Sequence, residues 1–267
     1  MTKAERGFSL VELSIVLVIL GLLTGGILAG QSLIRSSELR ALSTEYSRYI
    51  SAANIFRDKY FALPGDMANA TSFWGGADAN PTFNATCQAI STGSLPANSG
   101  TATCNGNGDG IIHTVGSSYS ETFRYWQHLA NAGLIEGNYT GYTDNADATT
   151  MILTPNINVP KSKLSNGLWG ARYVGTIPSG NVSYYADNYG NAFGFGGSGG
   201  TGLPDGPILK PEEAWNLDTK MDDGKPAFGI IKSLIHRPEC TTTVVQNTAE
   251  YALTNSNKDC ALIIKIP

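Results

Sequence analysis

A chain of 267 residues with 15% charged side chains, 31 glycines and a formal net charge of −4 falls outside two classes at once. It is not a disordered, highly charged chain, and with no Lys/Arg-rich run it shows no nucleic-acid footprint. A chain of this size buries a real core, so cysteine bridges would reinforce the fold rather than carry it alone.

Residues 1–7 (MTKAERG) are polar and carry Lys3 and Arg6, whereas 8–30 (FSLVELSIVLVILGLLTGGILAG) contains a single charge, Glu12. As a helix the second segment would run about 34 Å, enough to span a hydrocarbon core. Basic residues ahead of it predict a cytoplasmic N-terminus and an exported remainder. A secretory signal would have a shorter apolar core, of about 7–15 residues, and a small-residue cleavage site such as Ala29-Gly30. Here the apolar run is longer and flows into a helical pattern. A plain membrane anchor accounts for the length but not for Glu12. A carboxylate at membrane depth costs about 3 kcal/mol and calls for a partner.

The stretch RGFSLVELSIVLVILGLL, with Gly7 ending the leader, Phe8 following it and Glu12 alone in the apolar helix, resembles the N-terminal motif of type IV prepilins and type II secretion pseudopilins. The resemblance implies cleavage between Gly7 and Phe8 by a prepilin peptidase and N-methylation of Phe8. It also implies that Glu12 pairs with the freed N-terminal amine of a neighbouring subunit. Such a pair of opposite charges in low dielectric would set the register of one helix against the next.

Beyond the apolar segment, Leu39, Leu42, Tyr46, Tyr49, Ala53, Phe56 and Tyr60 recur at three- and four-residue steps, while Arg35, Glu38, Arg40, Glu45, Arg48 and Asp58 largely take the other faces. This predicts that the helix continues as an amphipathic one whose apolar stripe is the core face of a head domain. Gly21, Gly25 and Gly26 weaken the helix locally. Leu63-Pro64-Gly65-Asp66 ends it. Residues 69–103, rich in Ala, Asn, Ser, Thr and Gly, read as a long surface loop. Glu121–Ile135 has Phe123, Trp126, Leu129 and Ala130 at helical spacing and Gly133 as a stop, which predicts a short amphipathic helix.

From residue 151 the pattern changes to short β-type runs at 151–153, 169–177, 182–185, 228–231, 244–245 and 261–266, separated by Gly, Pro and Asn turns. An antiparallel sheet packed on the long helix is the expected solution. Residues 190–202 (GNAFGFGGSGGTG) read as a flexible loop. Asp218, Asp222, Asp223-Gly224 and Pro226 read as an acid-capped turn, with cation binding as the alternative.

Cys87, Cys104, Cys240 and Cys260 allow three connectivities. None forms a C-x-x-C motif, and His113, His128 and His236 have no metal-ligand spacing, which argues against zinc. The expectation is two local bridges, Cys87–Cys104 and Cys240–Cys260. The second also resembles the disulfide-bounded loop of pilin heads.

Asn105, Asn107 and Asp109 place side-chain oxygens at alternating positions before Gly110, as in the first half of a calcium loop. Ile111 would add its carbonyl. The residue at the closing position, Gly116, carries no carboxylate, so Glu121 would have to fold back. Possible readings are a weak Ca2+ site and an ordinary polar turn. Gly194–Gly199 fits G-x-G-x-x-G by letter but opens onto Thr-Gly-Leu-Pro rather than a helix. There is no phosphate-binding loop and no H-E-x-x-H motif, so no enzyme is expected.

The expectation is an α+β chain: a leader over 1–7, a transmembrane and assembly helix over 8–30, its amphipathic continuation over 31–62, and an exported head over 63–267. Within the resemblance it is a minor pilin or pseudopilin-like structural subunit of a type IV pilus or type II secretion-type filament. Its partners would be other pilin subunits, the prepilin peptidase, an inner-membrane assembly platform with its ATPase, and inner-membrane lipid before assembly. Its place would be the bacterial inner membrane, with the head in the periplasm or at the cell surface. The alternative is a membrane-anchored or filament-tip adhesin whose head recognises a surface, a sugar or DNA.

Overall fold

The computed structural model describes residues 9–77, 100–114, 121–142, 152–199, 203–234 and 238–267. Its spine is α1, Leu10–Tyr60, a helix of 51 residues. The three glycines do not interrupt it, and nothing lies within 4 Å of where a Cβ on Gly21, Gly25 or Gly26 would sit. The helix stops just before the predicted Pro-Gly turn, because Phe61 turns into the left-handed region (φ 53°) and donates its N–H to the Arg57 carbonyl at 2.8 Å.

The two halves of α1 differ as the residue pattern demands. Among the described residues Leu10 through Leu28 are exposed, whereas Leu42, Tyr49, Ala53 and Phe56 are buried and Leu39, Tyr46 and Tyr60 pack at the margin of the core. The apolar stripe read from the sequence is therefore the core face of the head. One member of the supposed polar face departs from it: Glu45 is buried.

Among the described residues the next helices are α2, Thr71–Trp74, a single turn, and α3, Glu121–Asn131. α3 was expected to be amphipathic, yet every residue from Glu121 to Leu129 is buried, including Arg124, Gln127 and His128. Loop segments close over its polar side, and the polar groups find partners there. Gln127 donates to the Ala102 carbonyl at 3.0 Å, and Arg124 to Gln127 at 2.7 Å. Gly133 (φ 72°) closes the helix as predicted, with its N–H on Ala130 and that of Leu134 on Leu129.

The sheet is antiparallel, of four strands in the order β1-β4-β6-β5: β1 Leu168–Tyr173, β4 Asn191–Gly196, β6 Leu262–Lys265 and β5 Ile231–Ser233. A separate ribbon pairs β2, Thr176–Ile177, with β3, Asp187–Asn188. Trp169, Phe193, Phe195, Leu262, Ile264 and Ile231 line the face that packs under α1 and α3. The aromatic contacts are close: Tyr49 meets Trp126 at 5.0 Å and Trp169 at 5.5 Å, both edge to face. The fold is the expected α+β architecture, a long apolar helix with an antiparallel sheet.

Several strand assignments need correction. The predicted flexible loop at 190–202 contains β4, bonded to β1 on one side and β6 on the other. Phe193 and Phe195 supply its core face. On the opposite face the chain at Leu203 and Pro204 lies so close that a Cβ on Gly196 would stand 2.6 Å from the Pro204 carbonyl oxygen, and one on Gly194 2.8 Å from Leu203. The glycines thus permit close approach rather than flexibility. The runs at 182–185 and 244–245 form no strand, nor do Ile152 and Leu153, and Met151 lies outside the described residues. A helix was missed as well: α4, Pro211–Met221, with Pro at its start and Glu212 and Glu213 in its first turn.

α4 fixes the base of the head to the spine. Arg35 on α1 grips Glu213 with two parallel bonds of 2.6 Å and donates to the Ile208 carbonyl at 3.0 Å. Cys240 and Cys260 are bridged as predicted, with Cα atoms 4.9 Å apart. Cys104 is also disulfide-bonded, while Cys87, its expected partner, lies outside the described residues.

Candidate functional site

Three regions carry the residues singled out by the sequence. The first is the start of α1. Ser9 caps the helix: its hydroxyl accepts the Glu12 N–H at 3.2 Å, and the Glu12 carboxylate accepts the Ser9 N–H at 2.8 Å. Within one chain Glu12 therefore serves as one arm of a capping box, satisfying a backbone donor that the helix itself leaves free. A neighbouring amine would have to displace or share that bond. Gly7 and Phe8 lie outside the described residues.

Before and after Glu12, large apolar side chains project from the helix: Leu10 is 84% exposed, Leu22 72% and Leu33 72%. An apolar surface of this extent is stable only against lipid or other protein. α1 is long and apolar enough to cross a membrane.

The second region is the loop from Cys104 to Thr114. The structure links Glu121 and Asp109 each to Asn107. The Glu121 carboxylate, at the first position of α3, accepts the N–H groups of Asn107 at 3.1 Å and His113 at 2.9 Å. Asp109 accepts from the Ile111 N–H at 2.9 Å, the Asn107 amide at 2.7 Å and the His113 ring at 2.8 Å. Asn105 instead turns away and accepts the Thr71 N–H at 2.9 Å.

Sequence reasoning missed Asp66. Its two oxygens accept the N–H groups of Gly108 at 2.6 Å and Gly110 at 2.8 Å. The loop presses so closely on this residue that a Cβ on Gly106 would overlap the Asp66 backbone. The alternating polar residues 105–109 were legible, but Asp66 stands some forty positions earlier and looked like a turn residue only.

Burial raises the proton affinity of Glu121 and Asp66 but not of Asp109. Burial, aided by the nearby Asp66 charge, pushes the Glu121 carboxyl up to about 7, against the pull of its two backbone bonds. Burial likewise raises Asp66. Asp109 moves the other way: desolvation opposes its charge, but bonds from His113 and Asn107 outweigh that and hold it below the usual range. Backbone N–H groups occupy these carboxylates at distances normal for charge-assisted bonds.

The third region is the acidic end of α4. Oxygens of Asp218, Asp222 and Asp223 converge within 4.8 Å. The buried Asp218 accepts the Gly224 N–H at 3.1 Å and the Tyr251 hydroxyl at 2.8 Å. Asp222 accepts the N–H groups of Ile230 and Ile231, and Asp223 that of Lys225. The turn is acid-capped as predicted. Burial, with the neighbouring Asp223 and Asp222, pushes Asp218 up to about 7.

His128 is packed within the core, its Nδ1 accepting the Gly65 N–H at 3.0 Å. Burial and the nearby Arg124 lower its pKa to about 3, so it stays neutral.

Comparison with known families places one match on the chain: the prokaryotic N-terminal methylation motif, over residues 2–28. It spans Gly7, Phe8 and Glu12, and ends within the apolar half of α1. Neither the curated proteins nor the solved structures gave a match to this chain. The chain carries the prepilin-type cleavage and methylation signal, and that signal supports a pilin-type precursor anchored through one apolar helix.

Proposed function

We propose that this chain is a minor pilin or pseudopilin-like structural subunit, assembled through α1 into a type IV pilus or type II secretion-type filament. The observation that carries the reading is the division of one continuous helix. Its first half bears the methylation motif and, among the described residues, is exposed from Leu10 to Leu28, while its second half is embedded in the head. A half-helix that is apolar all round needs lipid before assembly and other helices after it. The head is large and loop-rich, which suits a subunit present in few copies better than one that must tile a shaft.

In this reading prepilin peptidase cuts between Gly7 and Phe8, leaving a new amine at Phe8. Glu12, one turn along, exchanges its bond to the Ser9 N–H for that amine on a neighbouring subunit. The head is exported and α1 remains in the inner membrane until the assembly platform draws it into the filament. The chain's role is structural, with no reaction to catalyse.

Mass spectrometry of the mature protein tests the processing step: the chain should begin at N-methylated Phe8. An intact Met1, or a start after Ala29 or Gly30, would refute it. Glu12→Ala should be inserted and processed, because losing a charge eases insertion, yet should fail to enter filaments.

The same proposal includes weak Ca2+ binding by the loop through Asn107, Asp109 and Glu121, with Asp66 beside them and the Ile111 carbonyl as a further oxygen. The carboxylates now hold N–H groups, so an ion would have to compete with those bonds. That points to affinity of about 10⁻⁴ to 10⁻³ M. At millimolar calcium the full chain should melt higher than with chelator, and Asp109→Ala should abolish the difference.

A further inference from the structure

The sequence holds three Asn-Gly steps, at Asn105-Gly106, Asn107-Gly108 and Asn166-Gly167. In each, the glycine lacks the Cβ that would keep its nitrogen from the side-chain amide carbon of the asparagine before it. Attack by that nitrogen closes a five-membered imide and expels ammonia. Three features favour the attack: a base on the glycine N–H, a donor on the asparagine side-chain oxygen, and a side chain folded over its own next peptide. The fold distributes these features unequally.

At Asn107 all three are present. The Gly108 N–H lies on a carboxylate oxygen of Asp66 at 2.6 Å, and Gly108 is exposed, with φ 77°. The Asn107 side-chain oxygen accepts the Asp109 N–H at 3.1 Å. That bond closes a ring of atoms containing the Gly108 nitrogen, so the amide carbon is folded back towards it. At Asn105 the oxygen is drawn instead to the Thr71 N–H at 2.9 Å, and the buried Gly106 donates to a neutral acceptor, the Met67 carbonyl, at 2.9 Å. The buried Gly167 likewise donates to the Leu164 carbonyl at 2.9 Å. A backbone carbonyl is a far weaker base than a carboxylate.

We propose that Asn107 is a self-modifying site, deamidated to aspartate and isoaspartate within its own loop, with Asp66 as the base. The Gly108 nitrogen passes its proton to Asp66 and bonds to the Asn107 amide carbon, while the Asp109 N–H steadies the negative charge that gathers on the side-chain oxygen. The bond from that carbon to Nδ2 then breaks. The departing nitrogen takes up the proton from Asp66, relayed by water, and leaves as ammonia. Water then opens the imide at either carbonyl. The balance is one water consumed and one ammonia released, with no oxidant or cofactor. The product carries a carboxylate where the Asn107 amide had donated to Asp109 at 2.7 Å. An attraction becomes a like-charge contact, and the loop gains one negative charge. The chemistry needs neither filament assembly nor a bound ion.

The test ages the full chain in detergent and near-neutral buffer with chelator, both folded and in denaturant. Peptide mapping follows the three Asn-Gly steps by mass and by isoaspartate content. In the folded chain Asn107 should convert about tenfold faster than Asn105 and Asn166, and about tenfold faster than it does in denaturant, where the three steps should run alike. That factor is below the usual range for a general base, because a peptide N–H is a weak acid. Asp66→Asn should remove the excess at Asn107 and leave Asn166 unchanged. Near-ultraviolet circular dichroism shows whether that variant keeps its fold, and the comparison of folded with denatured parent stands without it. The proposal is overturned if Asn107 reacts no faster than the other two steps, if folding fails to speed it, or if a folded Asp66→Asn chain ages at the parent's rate.

Discussion

The Glu45 carboxylate and the Trp169 indole meet at 2.8 Å, joining the middle of α1 to the first strand of the sheet across 124 residues of sequence. The same carboxylate accepts the Ser162 hydroxyl at 2.6 Å and the Lys163 N–H at 2.8 Å. An acid on the supposed solvent face of an amphipathic helix is thus the polar anchor of the head. Three donors converge on it in a buried setting, where each would be costly to leave unpaired.

Glu45→Ala should therefore destabilise the head by about 3 kcal/mol, on the order of 1 kcal/mol for each orphaned donor. Trp169→Phe, which removes one donor and leaves the carboxylate two partners, should cost less. Chemical denaturation of the full chain, followed by tryptophan fluorescence and circular dichroism, measures both. A Glu45→Ala variant within 0.5 kcal/mol of the parent, the range usual for surface substitutions, would contradict the anchor role.

How far the sequence disclosed this architecture depends on where each element finds its partners. α1 was legible because its signal is local: an apolar run, then a stripe of Leu42, Tyr49, Ala53 and Phe56 at helical spacing. α3 and its Gly133 stop were legible for the same reason. β4 was not, because its glycines match a turn composition and only the distant Leu203 and Pro204 explain them. α4 carried a readable start, Pro211 with Glu212 and Glu213, but the downstream aspartates drew the reading towards a turn. In the loop, Glu121 does fold back onto Asn107, whereas Asp66 and the role of Asn105 depend on contacts no spacing rule contains.

The close approach at β4 gives a second prediction. Gly196→Ala drives a methyl towards the Pro204 and Gly206 carbonyl oxygens, which are backbone atoms held by the paired Gly197 and Gly206. It should cost about 2–3 kcal/mol, the upper range for overpacking. Gly194→Ala meets the Leu203 side chain instead, which can turn aside, so its cost should be smaller. Thermal melts of the two variants give the order directly, and the reverse order would contradict the packing.

The Cys240–Cys260 bridge closes a segment that also folds back on itself, through the Ala252 N–H on the Cys240 carbonyl and the Thr242 N–H on the Glu250 carbonyl, and that is tied to the chain before α4 by Leu209 with Cys260. A loop of this length is credited with about 3 kcal/mol by chain-entropy arguments, although that account is disputed. Cys240→Ser with Cys260→Ser should lower stability by roughly that amount, and non-reducing peptide mapping of the parent should recover the bridge. Mapping should also join Cys104 to Cys87. A Cys87–Cys240 peptide would overturn the local pairing.

The buried acids make stability depend on pH in a direction opposite to that of ordinary surface carboxylates. Glu121 rises from 4.5 to about 7 on folding and Asp218 from 3.8 to about 7, both chiefly through burial. Between those limits the folded chain holds protons that the unfolded chain has released, so stability falls as pH rises towards 7 and is flat above it. His128 works against this. Its neutral form is favoured in the fold, where its pKa drops from 6.5 to about 3, so acidification below 6.5 costs stability. Glu121 and Asp218, with Asp66 raised by burial as well, gain while one histidine loses, and the net change favours mildly acidic solution. Below about 4 the carboxyl gain is exhausted. There Asp109 and Glu213, both held below their usual range by their partners, begin to lose their contributions as well. The melting temperature should therefore peak at about pH 4 to 4.5 and decline on both sides, by about 2–4 °C per kcal/mol for a domain of this size. Glu121→Gln imitates the protonated acid and should flatten the slope between pH 5 and 8, and Asp218→Asn should do the same. A profile that peaks above pH 7, or variants that leave the slope unchanged, would show that these carboxyls are ionised in the folded chain.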